Sequence, residues 1–405
     1  MMEEKSWTKF PVLFSLYIAQ SIPMSFFSTV VPVIMRQEKY SLESIGLMQL
    51  VKLPWILKFL WAPFIDSNSQ TPKKLRNWII FSELFYAVVI VCIGFFNLQT
   101  DFRLIVMLMV IAFIASATQD IAVDIFAILQ LRPEERSIGN SMQSAGSFVG
   151  TLFGTGILLI AYHYFGWTML LMCLSVFVMF AVIPMLLYRK PAPNERSATR
   201  SVSMKEIVLF FKEKGMGSRV LILVFYYSGI IGILTLLKPF LVDLGYDVKQ
   251  IGFMSGIFGT SVAVLSAFAG GLIIKQVGIR TSMFLFLLMS FAAASWFWFI
   301  GTTPGIAKTY AGIALLWGAY GFSTVAVYTT SMDLVRKNHE GTDFTIQIVI
   351  THLSSLIIAV LSGKIGDITG YKTFFAIEAG LCLFTFIILF YSFKKTDYAN
   401  SRGTA

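Results

Sequence analysis

Charge is scarce in this chain. Only 13% of its 405 residues are Asp, Glu, Lys or Arg, about half the share found in soluble globular domains. A water-soluble fold for the whole molecule is thereby excluded. Cysteine is scarcer. Cys92, Cys173 and Cys382 are odd in number, far apart and set in apolar runs, so neither a disulfide framework nor a thiolate metal site is implied. Of the three histidines, His163 and His339 fall at span ends or in a loop, and His352 has no partner at metal-ligand spacing. No Gly-rich phosphate loop followed by Lys-Ser/Thr occurs, so no ATPase motor is built in. The predicted external turns are short, which leaves no ectodomain for a receptor.

What is abundant is apolar. Residues of that kind make up 56% of the chain, with a mean hydropathy of +0.74. Runs of roughly 20 residues recur, each able to cross a hydrocarbon core about 30 Å thick. Twelve spans are expected, at 10–35, 42–65, 77–97, 102–127, 137–163, 167–188, 219–242, 249–275, 281–300, 305–331, 344–364 and 371–393. The first is too long for a signal-peptide core and is read as uncleaved. With the N-terminus inside, 22 of the 32 Lys and Arg fall in inner segments and 7 in outer turns. That asymmetry puts both termini in the cytoplasm and accounts for the net charge of +10 without nucleic acid.

The chain is also duplicated. YSLESIGLM from Tyr40 to Met48 returns as YDVKQIGFM from Tyr246 to Met254, and Gln143 and Gly166-Trp167 match Gln347 and Gly370-Tyr371. Two similar halves are expected, a six-helix bundle over 1–188 and another over 219–405. The join, 189–218, is a cytoplasmic linker whose SMKE at Ser203 suggests a capping box ahead of a short amphipathic helix. Parallel repeats of membrane helices are how one class of secondary transporters is built, with the substrate between the halves. The fold class is therefore all-α integral membrane, with two pseudo-symmetric bundles. No nucleophile–base or metal constellation lies within the spans, so no enzyme, cofactor or metal is expected.

Ionisable groups inside spans mark function or mutual pairing. Lys52 falls near the middle of span two and, as a cation, favours an anionic substrate group. Lys58, Glu83, Asp120 and Asp124 fall toward the inner ends of spans two to four, with Asp120 and Asp124 one turn apart on one face. They suit either proton exchange or an inter-helix latch. Gln20 and Gln143 are candidates to line the cavity. Gly146, Gly150 and Gly154 recur at every fourth position, the spacing that lets helices approach closely. Glu378, on span twelve, is expected to be peripheral and structural.

LPWILKFLWAPFID (Leu53 to Asp66), ATQDIAVD (Ala117 to Asp124) and RPEER (Arg132 to Arg136) together resemble the muropeptide-permease and acetyl-CoA-transporter branch of the major facilitator superfamily. Asp66 is the clearest remnant of that superfamily's loop motif between spans two and three. NSMQ at Asn140, SMDLVR at Ser331 and EGTDFTIQ at Glu340 are similar to the branch's siderophore importers. An Arg-Leu-Gly run common in relatives stands here as Ser147-Phe148-Val149. The resemblance implies import across the bacterial cytoplasmic membrane, coupled to protons, of a bulky anionic solute. Ferric siderophore is favoured, then anhydro-muropeptide, then acetyl-CoA. Substrate contacts are expected at Gln20, Lys52, Gln119, Gln143 and Gln347, and coupling or gating at Lys58, Asp66, Glu83, Asp120, Asp124, Arg136, Asp333 and Asp343. The partners implied are a small-molecule substrate, membrane lipid and protons, with the chain acting as a monomer.

Overall fold

A computed structural model describes residues 8–40, 48–188, 204–301 and 305–402. The turn at 41–47, the linker residues 189–203 and Ser203 of the expected capping box lie outside the described residues. Helix is the only regular structure among those described.

Nine helices there are long and apolar enough to cross a membrane: Lys9–Arg36, Pro72–Gly94, Phe102–Gln130, Leu158–Leu187, Met216–Asp243, Lys249–Val277, Ile279–Ile300, Ile306–Asp333 and Glu340–Phe393. Two of these run through a reversal. Gly166 (φ 70°) ends span five and Gly370 (φ 73°) ends span eleven. Both combine positive φ with extended ψ, a conformation open in practice to glycine alone. They stand at matching places in the two halves. Cutting the helices there, and adding a span two fragmented over 49–68, gives twelve crossings. The fold is the expected all-helical membrane architecture.

Two prolines punctuate span two. It runs through a 3-10 turn (Gln49–Lys52), a helix (Leu53–Leu57), a second 3-10 turn (Lys58–Leu60) and a final helix (Ala62–Asn68). Pro54 and Pro63 each sit in the first turn of the helical piece that follows, where a missing N–H costs nothing. Span eight, its counterpart in the repeat, departs from α geometry the other way. Glycine-rich Gly252–Gly259 is π-helical, and such bulges collect at functional places.

The chain divides into two compact units. One comprises Met1–Met204 with Val335–Thr345, the other Lys205–Leu334 with Ile346–Ala405. Within the first, Phe26, Phe27, Ile90, Ile105, Phe113 and Leu171 belong to one apolar core. Within the second, Ile233, Phe240, Phe297, Leu316, Phe374 and Phe375 do the same. The short helix Lys205–Lys212 buries Phe210 and leaves Val208 and Phe211 exposed.

Candidate functional site

A polar layer crosses the first unit, and close helix packing makes it. Spans one and five meet backbone to backbone at the spaced glycines. A Cβ on Gly146 would lie 3.0 Å from the Phe14 carbonyl oxygen, and one on Gly150 2.4 Å from Ser21 Cβ. One on Gly154 would lie 2.5 Å from the Ile22 carbonyl oxygen. This approach carries Tyr17 and Gln143 to Asp124 of span four. The Tyr17 hydroxyl donates to Asp124 Oδ1, and Gln143 Nε2 donates to the same oxygen at 3.4 Å.

One turn earlier, Asp120 accepts a hydrogen bond from the Lys58 ammonium, with side chains 1% and 6% exposed. Lys58 also lies 4.9 Å from the centre of the Trp55 ring. The charges of Lys58 and Asp120 both act on Asp124. Two enclosed carboxylates thus share one ammonium. Burying an unmatched charge is costly, and holding one proton between the two carboxyls removes that cost.

Glu83 stands apart from this group, paired with Gln119, whose Nε2 donates to it. The inner-side cluster of four expected from the sequence therefore resolves into a group of three, Lys58, Asp120 and Asp124, and a separate Glu83. Gln119 shows why: beside Asp120 in sequence, it points about 100° away around the helix. Gln20 Nε2, Gln119 Oε1, Gln143 Oε1 and Glu83 Oε1 are enclosed without a partner among the described residues, which is uncommon for buried polar atoms. Lys52 closes the first 3-10 turn, half-buried, and makes no ion pair among the described residues.

Asp66, also in the first unit, is 1% exposed. Its carboxylate accepts from Gly341 N–H (3.0 Å), Thr342 N–H (2.5 Å) and the Thr342 hydroxyl (2.6 Å). These are the first turn of the helix that begins at Glu340, where free N–H groups and the helix dipole favour an anion. Beside it Asp343 receives Arg336 through Nε (2.9 Å), Nη2 (2.7 Å) and backbone N–H (2.8 Å). Arg136 is half-buried where span five starts. Near it, Lys9 donates to the Gln130 carbonyl and to Glu135. Burial alone would push the Glu135 carboxyl up. The hydrogen bonds from Lys9 and the Arg132 N–H win and hold it below its ordinary value.

In the second unit Gln347 is wholly enclosed. Its Oε1 accepts from Arg219 Nε at 2.9 Å, and its Nε2 donates to the Ser331 carbonyl at 3.1 Å. Arg219 Nη2 reaches the Ser331 hydroxyl at 2.8 Å. Asp333, exposed at the end of its helix, acts on Arg219 through its charge. The candidate residues are thus distributed over both units.

Three participants escaped the sequence reading. Tyr17 lies one turn before Gln20, and that helical spacing of polar residues was the available signal. Arg219 stands at the expected boundary between linker and span seven, yet it is 6% exposed. The clue was that each half opens its first span on a basic residue, Lys9 or Arg219. Thr342 lies in the EGTDFTIQ motif, but its partner carried no signal, because a helix-cap contact with a residue 276 positions away leaves no local pattern.

The Major Facilitator Superfamily profile matches residues 13–347. Among curated proteins, the anhydromuropeptide permease of Escherichia coli K12 is 23% identical over 96% of this chain and 80% of its own length. A Haemophilus influenzae protein is 25% identical over 90% of this chain and 91% of its own. Among solved structures, a bacterial homologue of the iron transporter ferroportin superposes with a TM-score of 0.73 at 16% identity, covering 96% and 99% of the two chains. The transporter FucP gives 0.73 at 13%, covering 95% and 98%.

Proposed function

We propose that this chain, which belongs to the Major Facilitator Superfamily, imports an anhydro-muropeptide or a close chemical relative across the bacterial cytoplasmic membrane. Uptake is driven by protons, and both termini lie inside. The observation that carries the substrate is the near full-length likeness to a relative named for that activity. The siderophore preference is not carried forward, because the named relatives point to muropeptide and the residues behind that preference have partners of their own. Thr342 is engaged with Asp66, Asp343 with Arg336, and Gln347 with Arg219 and Ser331. A motif occupied with internal bonds needs no special ligand to explain it.

In this reading, Lys52 attracts the solute's carboxylates, since it is the half-buried cation of span two with no charge opposite it among the described residues. Gln20, Gln119 and Gln143 offer polar atoms to sugar hydroxyls and peptide amides. Asp120 and Asp124, sharing Lys58, hold and release the coupling proton. Asp66 and Asp343 brace the start of span eleven and must loosen for the inner side to open. The bundles are those over 1–188 and 219–405, joined by 189–218.

Purified protein in liposomes, given an inward proton gradient, will accumulate labelled anhydro-muropeptide and lose uptake when the gradient is collapsed. Accumulation of labelled ferric siderophore, with none of the muropeptide, would overturn the substrate. Equal uptake with and without the gradient would overturn the coupling.

A further inference from the structure

One carboxylate in the second unit belongs to no part of this mechanism. Glu378 of span twelve is 1% exposed. The Ser362 hydroxyl of span eleven donates to its Oε1 at 3.0 Å, while Oε2 is enclosed without a partner among the described residues. Span seven presents bare backbone to it. A Cβ on Gly232 would fall 1.8 Å from Oε1, and one on Gly229 2.5 Å from the Cys382 sulfur. Span seven thus has a glycine slot filled by Glu378 and, one turn on, by Cys382.

The groups facing this carboxyl are few. Span eleven contributes Ser362, span twelve Cys382, and span seven its two glycines. Lys238, Lys364, Asp367 and Lys372 on the same helices are exposed, and no ammonium or guanidinium pairs with Glu378 among the described residues. A carboxylate ionised in such a place would face a heavy desolvation cost with one hydroxyl to offset it. A neutral acid fits the site, with Ser362 satisfying its carbonyl oxygen.

We propose that Glu378 is a proton-binding site of the second unit, separate from Asp120 and Asp124, and that its proton keeps spans seven and twelve packed at the Gly229–Gly232 slot. Loss of the proton brings water to the new charge, and span seven meets that charge with glycine backbone and no side chain, so the seam parts there. The role of this site as a second proton stop in transport rests on the function proposed above. Its existence does not.

Infrared spectra of the protein in nanodiscs test it without substrate, so failure of the uptake assay and failure here are distinguishable. At neutral pH the wild type minus Glu378→Gln difference will contain a protonated-carboxyl C=O band. Its absence would overturn the proposal. In the wild type alone, part of that absorption will disappear as the pH is raised above neutrality, and a constant signal would count against a titrating site. With Cys92→Ala and Cys173→Ala removing the other thiols, maleimide labelling of Cys382 will rise several-fold more steeply with pH than in the same background carrying Glu378→Gln. Parallel pH profiles would refute the parting of the seam.

Discussion

Replacing Lys58 by methionine removes the one ammonium that two carboxyls share, and the size of the loss can be worked out. Lys58 and Asp120 are both enclosed, and deleting one partner of such a pair costs about 3–5 kcal/mol. The upper bound comes from the alternative open to the abandoned carboxylate, which is to take a proton. An aspartate ordinarily titrates near about 3.9, and each unit above that costs about 1.4 kcal/mol, hence about 4 kcal/mol at pH 7 and about 1.5 at pH 5. The sign follows directly. In the Lys58→Met variant the folded state keeps a proton that the unfolded chain releases, so stability rises as the pH falls. Unfolding of the purified variant in detergent should therefore show a deficit of about 4 kcal/mol near pH 7 that shrinks by more than half at pH 5. Adding Asp120→Leu should recover most of the loss at both pH values. A deficit that ignores pH, or a double variant as weak as the sum of the singles, would refute the shared-charge account.

Asp66→Ala removes the acceptor for two backbone N–H groups at the start of the Glu340 helix, a capping loss of about 1–2 kcal/mol. It should appear as faster amide exchange at Gly341 and Thr342 than in wild type. Gly150→Val should cost about 1–3 kcal/mol through overpacking against Ser21, whereas Gly217→Ala, with nothing within 4 Å of its Cβ, should leave the melting temperature unchanged. Glu135→Gln should be less stable than wild type at neutral pH. Because the Glu135 carboxyl lies below its ordinary value, that difference should close as the pH falls through the acid range, which thermal melts from neutral to acid pH would follow. Lys52→Ala should abolish uptake in liposomes while leaving the melting curve intact; wild-type rates would remove Lys52 from the substrate site.

Much of the architecture could be read without coordinates, because apolar length and the duplication are properties of sequence alone. Gly166 and Gly370 illustrate this: a matched pair in the repeat became a matched pair of positive-φ reversals. The glycines of span five were equally readable, since a four-residue period on a helix has one physical meaning. The partners of the charged residues were harder. Asp120 finding Lys58, and Glu83 finding Gln119 in place of the same group, depend on how far each helix is turned about its axis, and nearly uniform hydrophobicity conceals that rotation. Glu378 was misjudged as peripheral for a related reason. The slot that encloses it belongs to glycines on another helix, and an absent side chain leaves little trace in a pattern search.

The two 3-10 turns of span two give that helix a reserve of length. They hold four and three residues, each rising about 2.0 Å where an α-helix would rise about 1.5 Å. Relaxing both to α pitch would shorten the rod by roughly 3 Å while its backbone bonds merely change partner. Lys52 ends the first turn and Lys58 begins the second, with the α-helical Leu53–Leu57 between them, so such a change would carry both ammoniums around together relative to the residues beyond the turns. On the function proposed above, a single helix would in this way release Asp120 and turn Lys52 toward the solute in one movement, with no hinge loop and no unfolding.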